Sequence, residues 1–499
     1  MPTYPGLRMG VDSVSQSNPV KLAASLTENR KKIEDILLEC HDIVFQPFTC
    51  GEKTRYSTLI VYCKPLTEKM ELRTFKSMME PLISKLDTAG QNPDSSSPDS
   101  GMSQPSDMIT DMNQAVWKIL NGYCIVFIDG WDRAIGIEAY SVSRKQTEQP
   151  VSESVIFGPR EGSVDELDHN IGLLRIRLKS PQFKIELTQM GELTNLRVMI
   201  GYVKDKVNEE ALAVLKKRMS HIRNIEVLDA TSVREFIEDS KYSPFPQYRI
   251  TERLDVAVSA MLEGKIILMA DGSSTILICP ALFIDFFQSP EDYYQRTHIS
   301  SLVRLMRIIA FFMALSLPSM YIALSNYHPE LIPSNLLLTL LNSREGLPFS
   351  SFVEALLMQF FFELLREAGI RLPRPVGAAV SIVGALIIGE AAIRAGIASP
   401  VMIVVISLTG IASFSMPQYE MAIAIRVFVF PLMVLSYLWG GFGLLIGFIL
   451  FFLHLTSLHS LGQPYFTPLA PLSPFQLLDV IVRAPLTLLQ MFRKTKQAK

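Results

Sequence analysis

The sequence predicts two unlike halves. An α/β region of two related subdomains is followed by an α-helical transmembrane domain of about six helices. Three observations carry this. Residues 302–458 are almost continuously apolar, in runs near the ~20 residues a helix needs to cross a ~30 Å hydrocarbon core. The stretch before them is polar and mixed in composition. Within that stretch a pattern recurs: Gly122, Asp129 and Gly130 match Gly264, Asp271 and Gly272 at identical spacing, and Ala115-Val116 match Ala257-Val258 at the same offset.

The net charge of −2 gives no global field for nucleic acid, and none is predicted as a partner. Cys40, Cys50, Cys63, Cys124 and Cys279 all precede the apolar block, form no CxxC pair and are odd in number. That suits a reducing compartment better than a disulfide framework. Cys40, His41, Cys50 and Cys63 have the right types for zinc, but their spacing matches no zinc module, so ordinary half-buried thiols are expected. The N-terminus has no basic stretch leading into an apolar one, so no signal peptide is predicted and the polar half is expected in the cytoplasm.

Residues 1–27 have no period and read as a flexible lead. The first subdomain, 28–150, opens with a helix over Asn29 to Cys40 and a strand over Ser57 to Lys64. A helix over Met70 to Leu86 is followed by a Ser/Pro/Asp/Gly-rich insertion, 88–110, expected to be disordered. Met112 to Leu120 reads as a helix feeding a hairpin that turns at Asp129-Gly130. The second subdomain, 151–295, repeats the plan: a strand and helix from Thr194, then Leu254 to Leu262 feeding a hairpin at Asp271-Gly272. An Asp-Gly pair suits a turn that needs positive φ, and no partner motif gives either aspartate a catalytic reading. Arg175, Arg177 and Lys179 alternate with Ile176 and Leu178, as on a solvated strand face or a subdomain interface. The glycines around Arg160 lack the GxxxxGK[ST] of a phosphate loop. With no nucleotide loop and no His/Cys/Asp constellation, neither an enzyme nor a cofactor is predicted.

The membrane domain, 296–460, reads as crossings over Leu302 to Ser325, Phe349 to Ala368, Val376 to Ile393, Val401 to Met416, Ala422 to Trp439 and Phe442 to Leu458. Five crossings with a re-entrant second segment is the alternative. The loop after the first crossing has a middle that can dip into the interface. Six crossings put Arg296, Arg304, Arg307, Arg366, Arg371, Arg374, Arg426 and the basic end of the tail, 461–499, on one side. That side is the cytoplasm by the positive-inside rule, with Arg344 and Arg394 as exceptions. The second crossing carries a polar stripe, Ser351, Ala355, Gln359, Glu363 and Glu367, with Glu354 and Arg366 beside it. Charges at that depth must face protein or water. The stripe is therefore either a cation-attracting path built from several copies of the helix, an interfacial helix, or a contact seam. Gly377, Ser381, Ala385 and Gly389 recur every four residues, and Gly443 and Gly447 repeat the spacing, which suits close helix packing within one chain or between copies. Glu390 and Arg394 stand i,i+4 in the order that favours an ion pair. The halves of the block lack the hydropathy symmetry expected of a secondary transporter.

From Arg371 the sequence RLPRPVGAAVSIVGALIIGEAAIRAGIASPVMIVVISLTGIASFSMPQYE resembles the A subunit of GerA-type spore germinant receptors of endospore-forming bacteria. PFSSFVEALLMQFFFELLREAGI, FGPREG, SPFPQYRITER, SPEDYY and LGQPYFTPLAPLSP fit the same family. The resemblance covers about Cys50 to Leu472. It implies the inner membrane of the dormant spore, a permease-like B subunit that binds the nutrient, a lipoprotein C subunit, and self-association into an ion channel. A membrane scaffold or signal relay, or a secondary transporter, without intrinsic channel activity is the alternative reading.

Overall fold

The structure is a computed structural model that describes residues 20–50, 56–67, 106–140, 150, 153, 157–222, 224–472, 479–480 and 482–485. The side chains of 50, 106, 374–376, 378–383 and 385 are outside the description, as is the helix expected over Met70 to Leu86. The chain divides into two compact units. One holds the described residues up to 153 with 159–237 and 250–278; the other holds 157–158, 238–249 and everything from 279.

The first unit is a tandem repeat. Its first copy runs α1 (Leu26–Ile36), β1 (Ile43–Cys50), β2 (Tyr56–Cys63), β3 (Ser106–Ile109), α2 (Met112–Ile119), β4 (Tyr123–Ile128) and β5 (Ala134–Glu138). Its second runs α3 (Leu167–Arg177), β6 (Phe183–Met190), β7 (Leu196–Val203), α4 (Glu209–His221), α5 (Ala230–Ile237), β8 (Arg249–Thr251), α6 (Leu254–Leu262), β9 (Ile266–Ala270) and β10 (Ile276–Cys279). The sheets have the same order, β1-β2-β4-β5-β3 and β6-β7-β9-β10-β8, and the neighbours whose register is given are antiparallel. Side chains alternate across each sheet. Leu59, Val61, Ile125 and Phe127 pack with Ile33, Ala115 and Ile119 of the helices, while Ile60, Val126, Ile128 and Ile135 form a separate cluster. In the second copy Ile185, Met199, Ile267 and Ile278 pack with Leu174, Leu254 and Met261.

Three expectations shift here. Residues 20–27 are part of the fold: Leu22 is buried, and its N–H bonds the Thr110 carbonyl. The expected insertion ends in a strand, β3, whose Ile109 is fully buried. Residues 175–177 are the end of a helix and form no strand. Arg175 is buried in the interface between the copies, where its guanidinium meets Asp42 at 2.8 and 3.0 Å and lies over the Phe183 ring.

The second unit contains α7 (Glu291–Tyr294), α8 (Thr297–Asn326), α9 (Ser334–Arg344), α10 (Ser351–Arg371), α11 (Arg374–Arg394), α12 (Pro400–Phe414) and α13 (Tyr419–Ser457). Among the described residues two helices are long and apolar enough to cross a membrane, α8 with 30 residues and α13 with 39; α12 is apolar but shorter. The stretches expected as the fifth and sixth crossings are two limbs of α13, broken at Gly440 (φ 59°, ψ −136°). There the Tyr327 ring comes so close that a Cβ would lie 2.8 Å from it. The limbs fold side by side, with Gly443 against Leu435 and Gly447 against Leu432. The tail is not free over its described part. Asp479 accepts from Arg304 and Tyr293, and Arg483 donates to the carbonyls of Tyr293 and Gln295.

Candidate functional site

The polar stripe lies on α10. Ser350 caps the helix by accepting from the Val353 N–H. From there the stripe runs from fully buried to exposed. Ser351 is buried and donates to Asn326 Oδ1 at 2.6 Å, tying α10 to the end of α8. Ala355 is buried. Gln359 is 2% exposed, and its Nε2 donates to Glu363 Oε1 at 3.2 Å. Glu363 is half-buried and pairs with Arg366. Glu367 is exposed and pairs with Arg371 at 2.7 Å.

Glu354, beside the stripe, carries the firmest of these contacts. It is 1% exposed, and its Oε1 accepts from both the backbone N–H and the hydroxyl of Ser399 at 2.6 Å. Ser399 is the N-cap of α12, so a carboxylate from one helix meets the positive end of another. Sequence reasoning missed this bond because Ser399 lies 45 residues away; Ser-Pro as a helix start was the available signal. Among the described residues several buried polar atoms here have no hydrogen-bond partner: Glu354 Oε2, Gln359 Oε1, and Nε and Nη1 of Arg366. Unmet buried polar atoms are costly in an apolar surrounding and mark where water, an ion or another chain would be accommodated.

The small residues are placed as follows. Gly377 is buried, and a Cβ there would lie 2.5 Å from the Gly369 carbonyl of α10. Among the described residues Gly389 has only Ile403 near, at 3.8 Å. The side chains of Ser381 and Ala385 are outside the description. Gly443 and Gly447 line the α13 fold-back. Glu390 and Arg394 pair at 2.5 Å with both side chains exposed.

Other candidates have local duties. Asp129 and Asp271 do not act alone in their turns: each carboxylate accepts the first N–H of a helix, Leu26 and Leu167. His41 Nδ1 accepts from Leu187, and Cys63 donates to Asp42. Burial pushes the thiols of Cys40 and Cys63 upward, and among the described residues no cluster of His, Cys, Asp and Glu could hold a metal. Gly158 to Gly162 serve the backbone: Gly162 bridges Arg253, whose guanidinium donates to the Pro159 carbonyl.

The described chain thus joins a duplicated α/β region to a helical region with two helices of membrane-spanning length and a charged face on a third. The family model described as Bacillus/Clostridium GerA spore germination protein matches residues 31–495, and the chain belongs to that family. It is 37% identical to the uncharacterized membrane protein YfkQ of Bacillus subtilis, over 94% of this chain and 91% of that one. It is 35% identical to spore germination protein KA of the same organism, over 94% and 86%. It is 38% identical to spore germination protein GerLA of Bacillus cereus, over 74% and 76%. The N-terminal domain of the A subunit of the Bacillus megaterium spore germinant receptor GerK3 aligns at 21% identity and a TM-score of 0.38, over 54% of this chain and 99% of that one.

Proposed function

We propose that this chain is the A-type membrane subunit of a nutrient germinant receptor. It sits in the inner spore membrane with about six crossings and both termini cytoplasmic. It self-associates and passes ions when a permease-like B subunit binds nutrient, with a lipoprotein C subunit completing the complex. The family membership supports the receptor role. The stripe on α10 supports conduction: a helix of 21 residues holds Gln359, Glu363 and Glu367 on one side, and among the described residues Glu354 Oε2 and Gln359 Oε1 have no hydrogen-bond partner. Acidic side chains along a shared path favour cations.

The scaffold reading has its own support. Ser351, Glu354 and Glu363 each find a partner within the chain, as a contact seam would. Ion efflux from vesicles separates the two. With partner subunits and nutrient present, Gln359→Ala and Glu363→Gln are expected to change cation flux or selectivity several-fold. Absence of flux from the wild-type complex under every nutrient condition would make the stripe a seam and the chain a relay.

A further inference from the structure

Helix α9 connects α8 to α10 and is too short, at 11 residues, to cross a bilayer. It is nonetheless rich in leucine, and the fold leaves most of that leucine bare. Leu340 is its one buried residue. Leu336, Leu338 and Leu341 are 52–60% exposed, and Leu331 just before the helix is 70% exposed. At roughly 100° per residue, Asn335, Thr339, Asn342 and Ser343 gather on about a third of the circumference. The leucines take most of the remainder. The apolar arc is therefore wider than the protein surface it packs on: Leu340 is covered, Leu337 beside it is half-buried, and Leu336, Leu338 and Leu341 are bare.

The level of α9 follows from its anchor. Leu340 shares one buried cluster with Tyr321, Ala355 and Met402. Tyr321 lies near the end of α8, Ala355 near the start of α10 and Met402 near the start of α12, so α9 sits within about a turn or two of those helix ends. The same end carries Tyr327, whose hydroxyl donates to the Tyr437 carbonyl, together with Tyr437 and Trp439, all three exposed. Exposed Tyr and Trp collect where a membrane meets water. Residues 331–343 contain no charge, while Glu330 and Arg344 bracket them. A leucine-rich stretch with a charge only at each end, Arg344 being half-buried on the Leu340 side at the last residue of the helix, matches acyl chains below and headgroups above.

We infer that α9 is an interfacial helix, its bare leucines seated among the acyl chains of the leaflet at this end of the membrane domain and its Asn/Thr/Ser arc turned to water. The inference rests on the membrane placement proposed above and is independent of conduction. A second copy of the chain is the other occupant that could cover the leucines, and one experiment separates the two.

The full chain, reconstituted in phosphatidylcholine vesicles, is labelled with an environment-sensitive fluorophore at Leu338→Cys, Leu341→Cys, Asn342→Cys or, on the exposed face of α12, Leu408→Cys. The unsubstituted chain gives the background from its own cysteines. Lipids brominated on the acyl chains are expected to quench positions 338, 341 and 408 at least twofold more than position 342. If 408 is quenched while 338 and 341 match 342, α9 is not in the bilayer and the inference falls. If 338 resists brominated lipid but self-quenches between labelled copies, a second copy covers the leucines and the inference falls. If 408 also resists, the membrane placement falls with it.

Discussion

Two aspartates in equivalent turns close equivalent helices. Asp129 and Asp271 each accept the first N–H of α1 or α3, whose own N-cap residues make no side-chain cap. From the sequence these Asp-Gly pairs are legible as turns. The helix each aspartate caps lies more than 100 residues earlier in the chain, and no local pattern points to it. The Asp42–Arg175 pair is equally remote, and both side chains are fully buried. Removing one partner leaves an uncompensated buried charge, which costs about 3–5 kcal/mol, whereas replacing both by apolar groups is often near neutral. Arg175→Ala is therefore expected to destabilise the repeat strongly and Asp42→Leu/Arg175→Met much less, read by denaturant unfolding of the solubilised chain through Trp117 and Trp131. Equal losses in both variants would show that the pair acts through shape alone. Asp168 adds a pH signature. Burial alone would raise its carboxyl, but hydrogen bonds from Arg197 and Lys64 outweigh that and hold it below the usual range. A depressed carboxylate contributes stability above its unfolded pKa, near 4, and loses it as pH falls through the folded value. The melting-temperature gap between wild type and Asp168→Asn should be full at pH 7 and close progressively below about pH 4. A gap that persists unchanged into strong acid would remove the charge from the account.

At the scale of elements, the duplication was readable because glycines must recur where φ is positive. Gly122 and Gly264 (φ 84° and 91°), and Gly130 and Gly272 (84° and 79°), do recur. β1 and α3 were not readable. β1 contains Pro47, which breaks the look of a strand; it sits on the sheet edge, where a missing N–H is tolerated. In the second copy Leu187 stands at that place in β6, and its N–H is used by His41 across the joint between copies. Pro47 has no N–H to give, so the free edge of β1 cannot repeat that bond, and proline on an edge also discourages further pairing. α3 ends in basic residues that alternate with apolar ones, a strand-like pattern created by Arg175 turning into an interface. The small-residue spacings were legible as spacings, and geometry separates them. A Cβ at Gly443 would collide with the Leu435 carbonyl, while one at Gly389 would meet nothing nearer than 3.8 Å among the described residues. Gly443→Ala is expected to part the limbs of α13 and cost about 1–3 kcal/mol; Gly389→Ala should be tolerated. Thermal aggregation of the solubilised chain tests both, and equal melting for the two variants would sink the packing assignment.

The whole molecule poses a question of sidedness that no single contact answers. Basic residues cluster at the foot of α8, where Arg304 and Arg307 share Asp292. Others lie between α10 and α11 and close the tail. On the topology proposed above, the positive-inside rule assigns these segments to the cytoplasmic face. With crossings at α8, α10, α11, α12 and both limbs of α13, the loop holding α9 and the break at Gly440 fall on the opposite face. On the same topology the turn between α12 and α13 returns to the cytoplasmic side. Asn342 and Ser415 are both exposed and lie in those two connections, so they report opposite faces. In intact cells a membrane-impermeant maleimide should label Asn342→Cys and spare Ser415→Cys until the cells are opened. The chain's own cysteines precede the membrane helices and should likewise stay unlabelled, which gives an internal control. Labelling of Ser415→Cys from outside would leave an even number of crossings between α8 and that turn. α10 would then enter and leave the membrane on one side. A helix that does not cross can line only part of a path through the bilayer, so this outcome would overturn a stripe that runs the length of the conduction path.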